Sequence, residues 1–365
     1  MSDQKFTLKS EFSPEFVAKL ANAFSKQFPD FKEKRFQNAI LNDQWEDREL
    51  KDRMRHIALV LGDVLPSNYK EAVRIVVAVA PEFTGLSAIV FPDFIQVFGL
   101  DHFKESIDAL QVVTEYSSSE FAVRPYIERY TDEMMAILLE WTNHENEHVR
   151  RLASEGCRPR LPWAPALNQF KLDPVPILPI LERLRNDESL YVRKSVANNL
   201  NDISKDYPEL VLAIAEKWLK ENHVHTNWIV KQALRGLLKR GDKKALSLFG
   251  FGNTDLVKVS KLKLNRSELS IGEKLEFTFQ IQWKGKQPVK LRLEYGIDYV
   301  KSSGKTNRKV FQIKEIEFIP KENQIIVRRQ SFEQRTTRKH YPGKHNLAIL
   351  VNGDELANQT FLLTA

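Results

Sequence analysis

Cysteine is nearly absent from this sequence of 365 residues, which contains only Cys157. An intramolecular disulfide and a cysteine-rich metal site are therefore both excluded. Long apolar runs are missing as well, and none reaches the roughly 18 residues that a membrane-spanning helix needs. The N-terminal segment MSDQKFTLKS has no apolar signal. We therefore expect a soluble, cytoplasmic protein.

The sequence also lacks a glycine-rich phosphate loop, a nucleophile elbow and a kinase signature. One metal-binding pattern does occur, because HENEH at residues 144–148 matches the H-E-x-x-H motif of zinc proteases. That chemistry requires His144 and His148 one turn apart on one continuous helix. Here the preceding helix ends first, so we predict that His144 lies in a turn and expect no metal or other cofactor. A zinc hydrolase is the alternative, which metal analysis tests.

Charge of both signs is plentiful, but it is unevenly distributed. Residues 1–256 contain 34 basic and 37 acidic side chains, and residues 257–365 contain 21 and 11, so their net charges are −3 and +10. This asymmetry indicates contact with a polyanion, and improved solubility is the alternative. With 42% hydrophobic residues, the chain is apolar enough for a packed core, and its length suggests about two domains.

Residues 1–254 are predicted to form helices that repeat irregularly. The dipeptide Val-Arg recurs at 123–124, 149–150 and 192–193, each time within or at the start of a helix that follows another helix. A period of roughly 40 residues is typical of HEAT-like repeats, whose helix pairs stack into a curved solenoid. The expected first domain is therefore an all-α HEAT-like helical-repeat solenoid with a concave surface.

Residues 255–365 are predicted to form strands. Apolar and polar residues alternate in segments such as KLEFTFQIQW and NQIIVRRQSF, and Asn352-Gly353 is a strong hairpin turn. About seven such strands in about 110 residues fit an immunoglobulin-like sandwich. The expected second domain is therefore a small, basic, all-β immunoglobulin-like sandwich.

Charged side chains are predicted to line one face of successive second helices. Glu155 lies four residues after Arg151 on one helix, and Asp202 lies near the end of the next. Second helices commonly line the concave side of a solenoid, so both carboxylates are expected there. They would share it with the basic residues Arg151, Arg158, Arg193, Lys194, Lys231 and Arg235. An ordinary solvated ion pair is the alternative.

The stretch HVRRLASEGCRPRLPW, residues 148–163, places four arginines around Glu155 and ends in Trp163. A basic cluster points to a phosphate partner. Because two prolines take the chain out of the helix, Trp163 is expected in a loop close to Glu155. An aromatic ring near a carboxylate suits a nucleoside-sized target, and simple packing of the tryptophan is the alternative.

The run EFAVRPYIERY, followed by HVRRLASEGCRPRLPWA and SLYVRKSVANNLNDISKDYP, resembles the HEAT-like DNA alkylation repair glycosylases, and the AlkC branch more than the AlkD branch. The resemblance implies a monofunctional glycosylase that hydrolyses the N-glycosidic bond of cationic N-alkylated bases and so starts base excision repair. The implied bases are 3-methylcytosine and 1-methyladenine, and also 3-methyladenine. The implied partner is double-stranded DNA, and residues 1–254 are the implied DNA-binding and catalytic domain. We expect a monomer without membrane contact. A non-catalytic HEAT-like nucleic-acid-binding or scaffold module is the alternative.

The resemblance also implies roles for particular residues. Three family carboxylates match Glu120, Glu155 and Asp202, and the family tryptophan matches Trp163. A carboxylate stabilises the positive charge that develops on the sugar and can activate water, so we assign Glu155 and Asp202 to catalysis with Glu120 in support. Trp163 is predicted to bind the substrate through cation–π attraction. Phosphate contacts are predicted for Arg151, Arg158, Arg160, Arg193, Lys194, Lys231, Arg235, Arg328, Arg329, Arg335, Arg338 and Lys339.

Overall fold

The computed structural model of the chain describes residues 7–334 and 338–365. The chain divides into two compact units. The first, called the helical unit here, comprises the residues up to Tyr207 together with Lys217–Ala233. The second, called the β unit, comprises Pro208–Glu216 and Leu234–Ala365. The predicted order of an α-helical region followed by a β region is confirmed.

The helices run from residue 14 to residue 248, and short 3₁₀ turns occur at Leu8–Glu11, Ala80–Glu82, Ser87–Ile89 and Val175–Ile177. The α-helices are α1 (Pro14–Gln27), α2 (Glu33–Ile40), α3 (Leu50–Val64), α4 (Tyr69–Val79), α5 (Val90–Phe98), α6 (Phe103–Val113), α7 (Val123–Arg129), α8 (Thr131–Trp141), α9 (Glu147–Gly156), α10 (Asn168–Leu172), α11 (Leu178–Leu184), α12 (Leu190–Ile203), α13 (Pro208–Lys220), α14 (Val224–Ala233), α15 (Arg235–Lys239) and α16 (Lys243–Leu248). None of the helices within the described ranges combines the length and the apolar character needed to cross a bilayer.

Helices α9 and α12 carry most of the predicted site, and local sequence explains where they begin. Asn146 caps α9 by accepting a hydrogen bond from the backbone N–H of His148, and the Ser189 side chain accepts from two backbone N–H groups at the start of α12. The predicted apolar stripes of both helices are buried. Helix α9 packs against α8 and α12, and α12 also packs against α14, so the helices form a stack of neighbours.

The recurring Val-Arg dipeptide has a structural cause. Val149 and Val192 are fully buried, while each following arginine closes the turn before its own helix. Arg150 Nη1 donates to the carbonyl oxygens of His144 and Glu145 at 2.9 and 2.7 Å. Arg193 Nη1 donates at 2.7 and 2.8 Å to carbonyls at the same two offsets, six and five residues earlier. At 149–150 and 192–193 the repeat is therefore a repeat of turn geometry, whereas Arg124 of the first dipeptide donates to the carbonyls of Gly156, Arg158 and Pro165.

The β unit contains a three-stranded sheet in the order β1-β3-β6 and a five-stranded sheet in the order β2-β8-β7-β4-β5. The strands are β1 (Val257–Leu264), β2 (Glu268–Ser270), β3 (Lys274–Trp283), β4 (Val289–Val300), β5 (Thr306–Phe318), β6 (Asn323–Ser331), β7 (Gly343–Val351) and β8 (Asp354–Thr364). Pairing is antiparallel except between β2 and β8. The inward-facing side chains of both sheets form one apolar core that includes Phe277, Phe279, Leu291, Ile297 and Leu347.

The predicted turn between the last two strands is present. Asn352 and Gly353 both have positive φ angles, 48° and 81°, as a two-residue hairpin turn requires. The short strand β2 was not predicted as a separate element, because three residues are too few to show an alternating pattern.

Helices α15 and α16 belong to the β unit and pack on this hairpin. Gly241 lies so close to Gly353 that a Cβ on either residue would clash with the other's backbone. Lys243 Nζ pairs with Asp354 at 2.7 Å, and Asn352 Nδ2 donates to the carbonyl of Gly252 at 2.7 Å. The compact β unit therefore includes residues before position 255. That two independently folding domains meet at residues 254–255 stays a prediction.

Candidate active site

The two carboxylates assigned to catalysis meet at one arginine. Glu155 lies in the last turn of α9 and Asp202 in the last turn of α12. Arg158 Nη1 donates to Glu155 Oε1 at 2.6 Å, while its Nε and Nη2 lie 3.0 and 2.9 Å from Asp202 Oδ2. Glu155 and Asp202 therefore lie side by side and are buried, while their predicted place on a concave surface stays a prediction.

The third carboxylate joins the same group through a second arginine. Arg151 Nη1 lies 2.5 Å from Glu120 Oε2, and its Nη2 lies 3.5 Å from Glu155 Oε1. At the far end, Lys205 Nζ contacts Asp202 Oδ1 at 2.9 Å. Positive and negative groups thus alternate along a line, called the carboxylate cluster here: Glu120, Arg151, Glu155, Arg158, Asp202 and Lys205.

Burial and pairing set the electrostatics of the carboxylate cluster. The side chains of Arg158 and Asp202 are only 9% and 3% exposed, whereas that of Glu120 is 15% exposed. Burial alone lowers the pKa of Arg158, but the charges of Glu155 and Asp202 outweigh it and raise the pKa above its usual value. Three carboxylates face three cations, so the cluster is balanced in charge, as buried ionic groups must be.

Two serines hold Glu155 from the side opposite its arginines, and neither was predicted as a site residue. Ser195 Oγ donates to Glu155 Oε2 at 2.6 Å, and Ser154 Oγ donates to Ser195 Oγ at 2.6 Å. Asn199 Nδ2 donates to the Ser154 carbonyl at 2.8 Å. These contacts tie α9 to α12, so the two helices that carry the carboxylates are fixed by hydrogen bonds as well as by packing.

Glu155 and Asp202 each keep an acceptor position that the described donors do not fill. An ionised carboxylate has about four lone-pair sites. Glu155 Oε1 meets two arginines and Oε2 meets one hydroxyl. Within the described ranges, Asp202 Oδ1 meets Lys205 and no second donor. Among the residues that the structure describes, one acceptor position therefore remains on Glu155 Oε2 and one on Asp202 Oδ1.

Trp163 projects from a loop that is held in place by hydrogen bonds from Lys51 and Arg124. Its side chain is 61% exposed and its φ is 65°, an uncommon value for a residue other than glycine. Its carbonyl accepts a hydrogen bond from Lys51. Arg124 donates to the carbonyls of Gly156, Arg158 and Pro165 on both sides of the loop. Strained backbone of this kind is often found at functional sites.

A cleft of about 590 Å³ opens beside Trp163 within the helical unit. Its walls are mainly apolar and aromatic, and Glu120 is the member of the carboxylate cluster that lines it. The aromatic and apolar lining includes Met54, Tyr116, Phe121, Trp163 and Tyr191. A volume of this size is typical of sites for small organic groups.

Residues 103–237 match a family described as DNA alkylation repair enzyme, and residues 258–365 match the C-terminal Ig-like domain of YhaZ. YhaZ of Bacillus subtilis (strain 168), an uncharacterised protein, is 48% identical over 347 residues, which are 95% of this chain and 96% of YhaZ. A structure of Pseudomonas fluorescens alkylpurine DNA glycosylase AlkC, bound to DNA containing an abasic site analog, matches with a TM-score of 0.95 and 39% identity. The match covers 99% of this chain and 100% of that chain. The chain belongs to the AlkC family.

Membership in the AlkC family confirms the predicted fold, a HEAT-like helical region followed by an immunoglobulin-like sandwich. It also confirms the resemblance drawn from the motifs around Glu120, Glu155 and Asp202. The roles of the individual residues stay predictions.

Three arginines that were predicted to contact phosphates in this AlkC-family protein are engaged with the protein itself. Arg151 and Arg158 belong to the carboxylate cluster, and Arg193 closes a turn. The prediction counted positive charges along the sequence, but their carboxylate and carbonyl partners come from the tertiary structure. Arg160 forms an ion pair with Asp206 while its side chain stays partly exposed.

The remaining basic residues of the AlkC-family chain lie nearer to solvent. Lys194 and Lys231 are exposed on the helical unit, and Arg235 is half-buried in the β unit. On the β unit, Arg328 and Lys339 are exposed, Arg329 pairs with Glu276 at 2.6 Å, and the guanidinium carbon of Arg338 lies 5.8 Å from the Tyr299 ring centroid. Arg335 lies outside the described residues.

The HENEH segment has the predicted geometry. Helix α8 ends at Trp141 and α9 begins at Glu147, so His144 lies in the turn between them. His144 Nδ1 accepts a hydrogen bond from the backbone N–H of Asn146 at 3.0 Å. Among the residues that the structure describes, no group of three His, Cys, Asp or Glu side chains is arranged to hold a metal ion.

Proposed function

We propose that this protein is a DNA glycosylase that hydrolyses the N-glycosidic bond of cationic N-alkylated bases. The proposed substrates are 3-methylcytosine, 1-methyladenine and 3-methyladenine in double-stranded DNA, and the proposed active form is a monomer. Its membership in the AlkC family supports the activity, because AlkC of Pseudomonas fluorescens is an alkylpurine DNA glycosylase that binds DNA. Hydrolysis by water without cleavage of the DNA strand makes the proposed activity monofunctional, and release of the free base starts base excision repair.

The observation that carries the proposal is the meeting of Glu155 and Asp202 at Arg158. An N-alkylated base already carries positive charge, so it leaves readily. As the bond breaks, positive charge develops on the deoxyribose. Carboxylates fixed in advance stabilise that charge without having to reorganise, and such groups contribute a factor of about 10²–10³ to the rate. The free acceptor positions on Glu155 and Asp202 suit a water that attacks the sugar.

The geometry suggests how the catalytic roles are divided among the three carboxylates. Glu120 lines the cleft and is the most exposed of them, so it is the first to meet an entering sugar. Glu155 and Asp202 lie deeper and hold water and charge. Arg151 and Arg158 act as positioning residues, because each bridges two carboxylates. Phosphate contacts are proposed for the other predicted basic residues: Arg160, Lys194, Lys231, Arg235, Arg328, Arg329, Arg338 and Lys339.

Single-turnover release of methylated base from a duplex with one 3-methylcytosine tests the proposal. We expect the purified protein to release the free base without added iron or 2-oxoglutarate. Glu155→Gln and Asp202→Asn should each reduce release by about 100-fold or more while DNA affinity stays within about threefold. Glu133→Gln, an exposed acid on α8, is the matched control and should not change the rate.

If Glu155→Gln and Asp202→Asn both release base at the rate of the unaltered protein, the assigned roles are wrong. If the unaltered protein binds duplex DNA but releases no base from any of the three lesions, the chain is a non-catalytic nucleic-acid-binding module.

A further inference from the structure

Arg124 of α7 is a buried arginine that meets backbone carbonyls instead of carboxylates. Its side chain is fully enclosed, and the residue is 3% exposed. Its Nη1 donates to the carbonyls of Gly156 and Arg158 at 3.1 and 2.9 Å, and its Nη2 donates to that of Pro165 at 2.6 Å. Among the residues that the structure describes, its Nε has no hydrogen-bond partner and no carboxylate forms an ion pair with it. Because burying a charge without an opposite charge is costly, we expect such an arginine to do more than fill space.

Arg124 keeps its charge at neutral pH. Burial lowers the pKa of its guanidinium to about 10, and the negative charges of Glu128 and Asp202 act against that fall. Hydrogen bonds from a charged donor are roughly twice as strong as those between neutral groups. The three carbonyls are therefore held by a strong, fixed donor.

The carbonyls that Arg124 holds lie around the residue that joins the two catalytic carboxylates. Helix α9 ends at Gly156, whose carbonyl is one of the last four of the helix and has no partner inside it. Two residues later, the carbonyl of Arg158 is held as well, while the Arg158 side chain donates to Glu155 and Asp202. Arg124 thus fixes the backbone from which Arg158 reaches both carboxylates.

The end of α9 also has the residue that this contact requires. A Cβ at Gly156 would lie 2.6 Å from Cγ2 of Val123, well inside the roughly 3.5–4.0 Å of a normal carbon contact. Val123 is fully buried and immediately precedes Arg124. Glycine at position 156 therefore allows α7 to come close enough for Arg124 to reach the carbonyls.

We propose that Arg124 is a positioning residue for base excision, which holds the backbone of residues 156–165 so that the Arg158 side chain lies between Glu155 and Asp202. Its part in the reaction rests on the proposed function, whereas its hold on the segment rests on the contacts alone. Misplacement of a catalytic group by about 1 Å can cost about 100-fold in rate. Loss of these hydrogen bonds is therefore expected to slow the chemical step and to leave DNA binding nearly unchanged.

Single-turnover excision from a duplex with one 3-methylcytosine tests this role in the full chain. Arg124→Lys keeps the charge but lacks the planar fork that reaches three carbonyls. We expect its maximal rate to fall by about tenfold or more, while the protein concentration that gives half the maximal rate stays within about threefold.

The matched control is Arg53→Lys. Arg53 is also buried in the helical unit and donates to two backbone carbonyls, those of Lys9 and Arg48, which lie outside the carboxylate cluster. This variant should excise at the normal rate. Thermal melting shows that each variant is folded at the assay temperature.

Two further variants show whether Arg124 acts through Arg158. Arg124→Lys in an Arg158→Lys background should slow excision by less than about threefold, whereas independent residues would give the full tenfold again. Gly156→Ala disturbs the same contacts without altering Arg124, because its methyl group would meet Val123. It should lower the maximal rate by about tenfold as well, and it replaces Arg124→Lys if that variant does not fold.

Hydrogen exchange separates this proposal from the proposed function. The backbone N–H groups of Ala164 and Leu167 donate to the carbonyls of Leu161 and Pro159 within or beside the held segment, at 3.3 and 3.1 Å. In Arg124→Lys both amides should exchange about tenfold faster, because the segment opens more often. Arg53→Lys should leave their exchange unchanged.

The proposal is overturned if Arg124→Lys excises at the rate of the unaltered protein, or if exchange in the segment does not change. A protein that excises 3-methylcytosine equally well in both forms is a glycosylase in which Arg124 serves only the fold. If the unaltered protein releases no base, the proposed function fails, and hydrogen exchange alone decides whether Arg124 holds the segment.

Discussion

The helical unit and the β unit both bury charged side chains, but they arrange them differently. In the β unit, Arg292 and Glu294 are alternate residues of one strand, β4, and their side chains meet at 2.9 Å. Arg292 also pairs with Glu315 of the adjacent β5 at 3.2 Å. In the helical unit, the carboxylate cluster draws its members from a loop, from α9 and from α12.

This difference distinguishes an ion pair that only stabilises the fold from a group of residues that forms a functional site. Residues two apart on a strand point to the same face, so the Arg292–Glu294 contact follows from the strand alone. Glu120, Glu155 and Asp202 are far apart in the sequence, and bringing three carboxylates together costs desolvation that three cations only offset. Such convergence beside a cleft is typical of functional sites.

The largest expected effect tests whether Arg158 of the helical unit and Arg292 of the β unit contribute equally to the free energy of unfolding. Arg158→Ala and Arg292→Ala should each lower the free energy of unfolding by about 3–5 kcal/mol, because each leaves buried carboxylate charge unpaired. Chemical denaturation followed by tryptophan fluorescence measures this change. Arg183→Ala, at an exposed position of α11, controls for loss of an arginine at the surface.

Base release by the same two variants sharpens the comparison. Under conditions where both variants are folded, Arg292→Ala should excise the base at the normal rate, whereas Arg158→Ala should excise it more slowly. Equal loss of excision in both variants would remove the distinction between the two regions.

The next effect concerns coupling within the carboxylate cluster. Because Glu155 and Asp202 share Arg158, the double variant Glu155→Gln/Asp202→Asn should be slower than either single variant by less than about tenfold. Single-turnover excision rates measure this. Independent carboxylates would instead give effects that multiply, to about 10⁴-fold in all. Glu294→Gln in the β unit should leave the rate unchanged.

A smaller effect is expected from the serine that supports Glu155. Ser195→Ala should slow excision by about tenfold, the size expected for one hydrogen bond to a charged group. Ser195→Thr keeps the hydroxyl and should restore most of the rate. An unchanged excision rate in Ser195→Ala would show that the serine serves packing only.

The smallest expected effect is a pH dependence of the stability of the β unit. Burial lowers the pKa of His340 and of His345 below the usual value of about 6.5. Above that value both rings are neutral and the β unit has its full stability. As the pH falls, the unfolded chain takes up protons before the folded one does, so stability is lost through the folded-state pKa values.

Thermal melting between pH 7 and pH 5 measures this loss. His345→Gln should reduce the slope, because its amide can donate to the Tyr341 carbonyl that His345 contacts at 3.1 Å and does not titrate. His223→Gln, at an exposed position, should leave the slope unchanged. A slope that His345→Gln does not alter would place the titrating group elsewhere.

Much of the fold was predictable because local patterns carry it. The apolar stripes of α9 and α12, the turn at His144 and the hairpin at Asn352 each depend on residues within a few positions. The carboxylates were predicted from the helical spacing and from the family resemblance. The roles of Arg151, Arg158 and Arg193 were not, since an arginine contacts whatever acceptor the folded chain brings near it.

The sequence by itself determined where helices give way to strands, which faces are apolar and which carboxylates the motifs contain. Periodicity and turn-forming residues are local features of the sequence, so they can be recognised without knowing which helices and strands pack together. Only the tertiary structure decided that Arg158 joins Glu155 to Asp202 and that Ser195 supports Glu155. Those contacts join residues from separate helices and loops, and the packing of the helices sets their distances.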